Sequence, residues 1–247
     1  MDDFVHLHVH TQFSLLDGAI KIPELMERVD ELGMDAVAMT DHGNLYGAVD
    51  FQNAADDHDI KPIIGCEMYV TKEDDYTEAS APESYHLTLI AKNNEGYFNL
   101  AYLNSMAWMN GYHEPSETPR INFELLSEHR EGLICLSGDL GSEINQAILQ
   151  DDLDEAREIA LKYKDLFPED HYYLEIMDNG FPEQKKCTET LIDLSDELDI
   201  PLVATNDCHY LDRDDALAQA ILVCISLGKT VELDRLMEHD VDQLYLR

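Results

Sequence analysis

The sequence predicts an α/β chain folded as a closed or nearly closed barrel of parallel strands with helices outside. Two observations carry this. Seven short β-rich apolar runs recur along the chain, and amphipathic helical patterns separate most of them. The 247 residues are 45% hydrophobic, enough for one large α/β domain, and no apolar run approaches the ~20 residues that span a bilayer.

In order, the β-rich stretches lie near 4–9, 35–40, 62–70, 86–91, 132–137, 171–176 and 201–205. The first helix, 22–33, puts Ile22, Leu25, Met26 and Val29 on one face and stops at Gly33. Similar patterns cover 46–59, 96–111, 141–149, 152–167 and 183–199. Residues 72–84 and 110–120 are rich in turn formers and read as surface loops. The closing "DVDQLYLR" is strand-like and carries no stop signal, so the chain reads as the front part of something longer, or as a stand-alone version of it. No internal repeat or interdomain linker is present, which gives a single domain over 1–247.

Sixteen Lys and Arg stand against 52 Asp and Glu, a formal charge of −36. Such a surface repels polyanions, so a broad basic nucleic-acid face is excluded, and bound cations must supply much of the positive charge for any phosphate chemistry. The same surplus fits a halophilic protein, because high salt screens it. The five cysteines are odd in number and widely spaced, without C-x-x-C, as expected of reduced thiols in a cytoplasmic protein. The N-terminus carries no secretory signal pattern.

The stretch "FVHLHVH" places Phe4, His6, His8 and His10 on one face of a strand and Val5, Leu7 and Val9 on the other. The aliphatic face suits packing under helices, which turns the histidines inward. Two imidazoles about 7 Å apart along a strand can bind one metal ion or two neighbouring ones. Other strands add donors: Asp41 and His42 after the second, Glu67 in the third, His86 at the start of the fourth, and Asp207 and His209 after the seventh. His and carboxylate groups converging at strand ends are what borderline divalent cations take. Neither a Ser-His-Asp or Cys-His nucleophile arrangement nor a phosphate-binding G-x-x-x-x-G-K-[ST] loop is evident.

The motifs "HLHVHTQFSLLDG", "AMTDHGNLYGAVDF", "IKPIIGCEMYV", "YHLTLIAKN", "EGLICLSGDLGSE", "FPEQKK", "VATNDCHYL" and "DQLYLR" together resemble the PHP (polymerase and histidinol phosphatase) domain. They most resemble the version at the N-terminus of the bacterial C-family DNA polymerase III alpha subunit. The resemblance implies a distorted (β/α)7 TIM-like barrel and a cluster of two or three divalent ions (Zn, Mn or Fe). Matched position by position, the implied ligands are His8, His10, Asp17, His42, Glu67, His86, Asp207 and His209. The ninth position usually carries Cys within "SG-Cys-LG"; here it is Asp139, a harder donor that weakens any preference for zinc. Glu67, as a bridging carboxylate, Asp207 and His209 are the expected catalytic residues.

His6 is expected to be buried and to support a ligand, or simply to fill the barrel. Asp41 should point away from His42 and play a supporting part. Cys66, Cys135 and Cys208 should be core, and His58, His113, His129, His171 and His239 ordinary residues. The implied activity is metal-dependent phosphoester hydrolysis, as a proofreading-type 3′–5′ exonuclease acting on a DNA 3′ end. No polymerase motif occurs in these residues. Two alternatives follow from the same reading: a non-catalytic module that docks other parts of a polymerase, or a small-molecule phosphatase of the histidinol-phosphate type, which the acidic surface favours.

Overall fold

The computed structural model describes residues 4–72, 74, 76–77, 84–168, 170–228 and 244–246. The expected helices form where the apolar spacing placed them: α1 (Ile22–Glu31), α2 (Ala48–His58), α3 (Asn94–Asn110), α5 (Glu143–Leu149), α6 (Leu153–Leu166) and α7 (Pro182–Leu198). Their starts are chemically marked. Asn93 accepts from the Gly96 amide at α3, Ser142 from Asn145 at α5 and Asp152 from Glu155 at α6, while α7 opens on Pro182. A short α4 (Phe123–Glu128) and a terminal α8 (Ala216–Ser226) complete the set among the described residues.

The strands are β1 (Ala36–Met39), β2 (Lys61–Thr71), β3 (Tyr85–Ala91), β4 (Tyr112–His113), β5 (Thr118–Asn122), β6 (Leu133–Leu136), β7 (Tyr172–Ile176) and β8 (Leu202–Ala204). Their order is β4-β5-β2-β3-β6-β7-β8, with β1 on the first half of β2. The N-terminal segment closes the ring. His10 N donates to Cys208 O (2.8 Å) and Cys208 N to His8 O (3.0 Å), while Ala38 N donates to His6 O and Thr40 N to Val9 O (both 2.9 Å). The result is a distorted TIM-like barrel. One apolar cluster packs α3–α7 against β2, β3, β6 and β7; a second packs α1 and α2 against β1, Val9 and Cys208.

Three features differ from the sequence expectation. First, β3 runs antiparallel to both β2 and β6, so the sheet is mixed. Among the described residues no helix lies between β2 and β3, and the turn-rich 72–84 sequence carries no helical pattern for the crossover that a parallel return needs. Second, residues 112–122 contain the hairpin β4–β5, not only a loop. β5 pairs with β2 and buries Ile121 and the Arg120 side chain.

Third, 4–9 makes no regular ladder. The three-residue step from His6 to Val9 opposes the two-residue step from Ala38 to Thr40, which is a bulge. The bulge breaks the expected alternation: Val9 enters the core, whereas Val5 and Leu7 stay half-buried. Of the two segments read as loop and terminal strand, only 72, 74, 76–77 and 84, and 244–246, are described; there Tyr245 bridges Tyr210 and Leu246 is buried. His239 lies outside the described residues.

Candidate metal centre

All nine residues expected as ligands meet at one rim of the barrel. His8 and His10 leave the N-terminal segment beside the 207–209 segment, His42 follows β1, and Glu67 sits mid-β2, bridged to His42. Because β3 is reversed, its N-terminal His86 arrives at the rim where the other strands end. Asp139 follows β6, and the backbone at His86 joins Gly141 and Ser142 of the same loop. A Cβ on Gly141 would lie 2.9 Å from His86 Nδ1, so the second glycine of "SGDLG" leaves room for that ring.

Donor atoms fall into three groups that share members: His8, His10 and Asp207; His10, His42 and Glu67; Glu67, His86 and Asp139. Glu67 is the hub. Its Oε1 lies 3.5 Å from His8 Nε2 and 3.1 Å from His86 Nδ1, and its Oε2 lies 3.6 Å from His10 Nε2 and 2.6 Å from His42 Nδ1. Asp207 Oδ1 stands 3.2 Å from His10 Nε2 and 3.1 Å from His209 Nε2. Asp17 flanks the groups, with Oδ2 at 2.9 Å from His42 Nε2 and 3.3 Å from His209 Nδ1. The His209 ring stacks on His10 with centroids 4.3 Å apart. Backbone strain gathers here too: Leu16, just before Asp17, has φ 64° and Asp207 has φ 48°.

The charges are balanced by mutual attraction. Burial alone would depress the histidines, but Glu175 and Asp207 hold His8, Glu67 and Asp17 hold His42, and Glu67 and Asp139 hold His86 well above the ordinary histidine value. His209 is raised in the same way by Asp207 and Asp17. His10 goes the other way: burial, then the neighbouring His42 and His209, lower it to about 3. Burial opposes ionisation of the carboxylates, yet His86 and His42 bring Glu67, and His209 and His8 bring Asp207, well below the usual carboxylate range. A hydrogen bond to His42, with His209 nearby, lowers Asp17 to about 2.

These residues fit divalent cations. His8 Nε2, His10 Nε2, His42 Nδ1, His209 Nδ1 and Glu67 Oε2 are buried and face one another or neighbouring carboxylates at 2.6–3.6 Å without forming a well-aligned hydrogen bond, an arrangement that is costly unless something else satisfies them. Behind them, hydrogen bonds fix which nitrogen faces inward. Glu175 Oε1 lies 2.8 Å from His8 Nδ1 and accepts its N–H, so that in the neutral imidazole the Nε2 lone pair faces the centre. Ser14 donates to Asp41 Oδ1 (2.7 Å), so its oxygen accepts from His10 Nδ1 (2.9 Å) and frees His10 Nε2 likewise. Asp41 also accepts from the Thr11 amide and hydroxyl, which is the supporting part expected of it.

Glu175 was not among the expected residues. It is buried and also accepts from Thr205 Oγ1 (2.6 Å) and Gly138 N (3.0 Å). A lone carboxylate inside the apolar strand "YYLEI" is the signal that marks it. Gln219 of α8 was also missed; its amide donates to Asp17 Oδ1 (3.1 Å), and nothing in its helix pattern sets it apart. His6 is buried, but it meets Cys208 Sγ (3.5 Å) and the Phe4 ring instead of facing the cluster. Cys66, Cys135 and Cys208 are core. His58 is exposed, and His113, His129 and His171 lie with Ser116, Tyr102 and Lys92 respectively, away from the centre.

A family model described as the PHP domain matches residues 6–179. The chain belongs to the PHP domain family. Among curated proteins, it is 42% identical over 254 residues to DNA polymerase III subunit alpha of Helicobacter pylori, covering 99% of this chain and 21% of that protein. It is 43% identical to the Treponema pallidum subunit over 247 residues and to the Deinococcus radiodurans subunit over 254, again covering 99% of this chain but 21% and 19% of those proteins. This PHP domain thus spans about a fifth of the length of these relatives. Among solved structures, a candidate metal-dependent phosphoesterase from Bifidobacterium adolescentis matches with TM-score 0.52 at 17% identity, covering 85% of this chain and 88% of that one. An amidohydrolase from Chromobacterium violaceum matches with TM-score 0.53 at 12% identity, covering 83% and 87%. Both likenesses are of fold. No helix among the described residues is long and apolar enough to cross a membrane.

Proposed function

We propose that this PHP domain is a metal-dependent phosphodiesterase that removes nucleotides from the 3′ end of DNA, as the N-terminal part of a longer replicative polymerase in the cytoplasm. The observation that carries it is the set of unsatisfied, inward-facing donor atoms shared among three overlapping groups. Two or three divalent ions held there would supply positive charge against phosphoryl oxygens and an acidified water, which phosphoester hydrolysis needs.

The protein's own residues divide the remaining work. Glu67 holds the groups together from the floor of the site. His8 and His10 present fixed lone pairs. Asp207 and His209 face each other at the rim, where a proton leaving water or reaching a departing oxygen can be taken up. The nearly complete donor set weighs against a purely structural docking module. The surplus of 52 acidic over 16 basic residues is the observation that favours a small phosphomonoester as substrate instead.

One experiment decides between these readings. The purified chain is loaded with Mn²⁺ or Zn²⁺ in high salt, its bound ions are counted, and it is given a labelled single-stranded oligonucleotide and histidinol phosphate. Two or three ions, and stepwise 3′ trimming faster than phosphate release, are expected; His8→Ala should lose both ions and trimming. An intact oligonucleotide under every metal tested would overturn the exonuclease reading, and a metal-free protein would restore the docking module.

A further inference from the structure

One aromatic pair beside the centre has no part in the chemistry above. Trp108, the chain's single tryptophan, lies near the end of α3, and its indole Nε1 donates to the carbonyl of Gly43 (2.7 Å). Gly43 follows His42, and its own amide donates to Glu67 O (2.8 Å), so the indole is anchored one residue from the cluster. The Trp108 ring stacks on Tyr112, with centroids 5.4 Å apart and planes 15° apart. Both side chains stay open to solvent, at 40% and 44% exposure. From Gly43 the aromatic surface continues inward: Tyr69 stacks over His42 (6.1 Å) and meets the edge of His86 (5.3 Å).

Indole is costly to expose, and an indole that serves only packing is normally covered. Here the ring is fixed by a hydrogen bond and a stacking partner, which is how a rigid binding platform is made. The charge balance narrows what it can bind. With 16 basic residues against 52 acidic, holding a strand through its phosphates is disfavoured, whereas base stacking is neutral and tolerant of sequence.

We propose that Trp108 and Tyr112 form a stacking platform for the bases of a single-stranded DNA 3′ end whose terminal phosphodiester enters the centre. The inference rests on the phosphodiesterase reading for its substrate class, but its test does not require turnover. Because Trp108 is the sole tryptophan, its fluorescence reports a base laid on it.

The metal-loaded protein is titrated with oligothymidylate and with a strand of equal length whose 3′-terminal nucleotides are abasic. Oligothymidylate should quench the emission saturably, binding about tenfold more tightly than the abasic strand, as one stacked base implies. The affinity should change with salt far less than the slope of about −0.7 per neutralised phosphate expected of a charge-held strand. Tyr112→Leu, which keeps the reporter, should erase the difference between the two strands while its thermal unfolding matches the parent. Equal quenching by both strands, or none at strand concentrations where trimming proceeds, overturns the platform while leaving the exonuclease standing. Base-dependent quenching without trimming under any metal supports the platform and removes the exonuclease.

Discussion

Replacing Glu175 by Gln tests whether the centre depends on a residue that touches it only through His8. In the parent, one carboxylate accepts three hydrogen bonds, from His8 Nδ1 (2.8 Å), Thr205 Oγ1 (2.6 Å) and Gly138 N (3.0 Å). Glutamine keeps one acceptor and brings an NH₂ donor. Whichever way the amide turns, the donor faces either the Gly138 amide or the His8 nitrogen. In the second case His8 must carry its proton on Nε2, the nitrogen aimed at the metal groups.

Loss of such a partner costs about 10–100-fold in metal affinity, or roughly 1.4–2.8 kcal/mol. The buried mismatch costs about 1–3 kcal/mol of stability, and at ~2–4 °C per kcal/mol for a chain of this size the melting temperature falls by roughly 2–12 °C. The assay is a competitive metal titration, with thermal unfolding in parallel. Removing Glu175 also weakens proton competition at His8, which acts in the opposite direction. Measuring at a pH where the parent's affinity no longer rises removes that effect. If Glu175→Gln binds metal within a factor of about three of the parent while His8→Ala binds tenfold more weakly or worse, the orienting role is refuted.

Two further outcomes follow from the same geometry. In the metal-free protein His8, His42 and His86 have values raised above 6.5: burial alone would lower them, but the facing carboxylates outweigh it. Their contribution to stability is therefore complete below about pH 6.5 and lost as pH rises through the raised folded values. Bound ions take neutral imidazoles, so the gain in melting temperature on adding metal should grow as pH rises above neutrality; scanning fluorimetry with and without chelator checks this, and a gain that shrinks with pH counts against it. Gly141→Ala should push the His86 ring, since the new Cβ would sit 2.9 Å from Nδ1; about 1–3 kcal/mol of lost stability and a lower ion count are expected, measured by unfolding and elemental analysis.

Most of the donor set was legible because it rides on local patterns. "HLHVH" puts two donors on one face, and "TDH" and "NDCH" end apolar runs where a barrel strand meets its loop. The bulge between His6 and Val9 was not legible, because it is set by pairing with β1 and leaves no mark on the sequence. It is why His6 meets Cys208 while His8 and His10 serve the centre. Glu175 was legible in principle. A carboxylate inside a buried strand must be paired, and the histidine that pairs with it lies 167 positions away. The hairpin at 112–122 was hidden by Gly111, Pro115 and Pro119, residues that mark turns and also fit a short edge hairpin.

The reversal of β3 ties fold to site most directly. His86 begins its strand, and in an all-parallel barrel a strand's first residue lies at the rim opposite the chemistry. Reversing β3 about Thr88, which pairs with Glu67, would shift His86 by about 13 Å, from opposite Tyr69 to opposite Gly65 on the far side of Glu67 from the donor rim. Antiparallel pairing places His86 opposite Tyr69, two residues from Glu67, so a strand-initial histidine reaches the same carboxylate as the strand-terminal His42. The cause is the connection. Residues 72–84 contain no helical pattern, and without a crossover helix the chain can only turn back. The antiparallel return of β3 after the turn-rich 72–84 segment is thus what allows Glu67 to join two of the three donor groups.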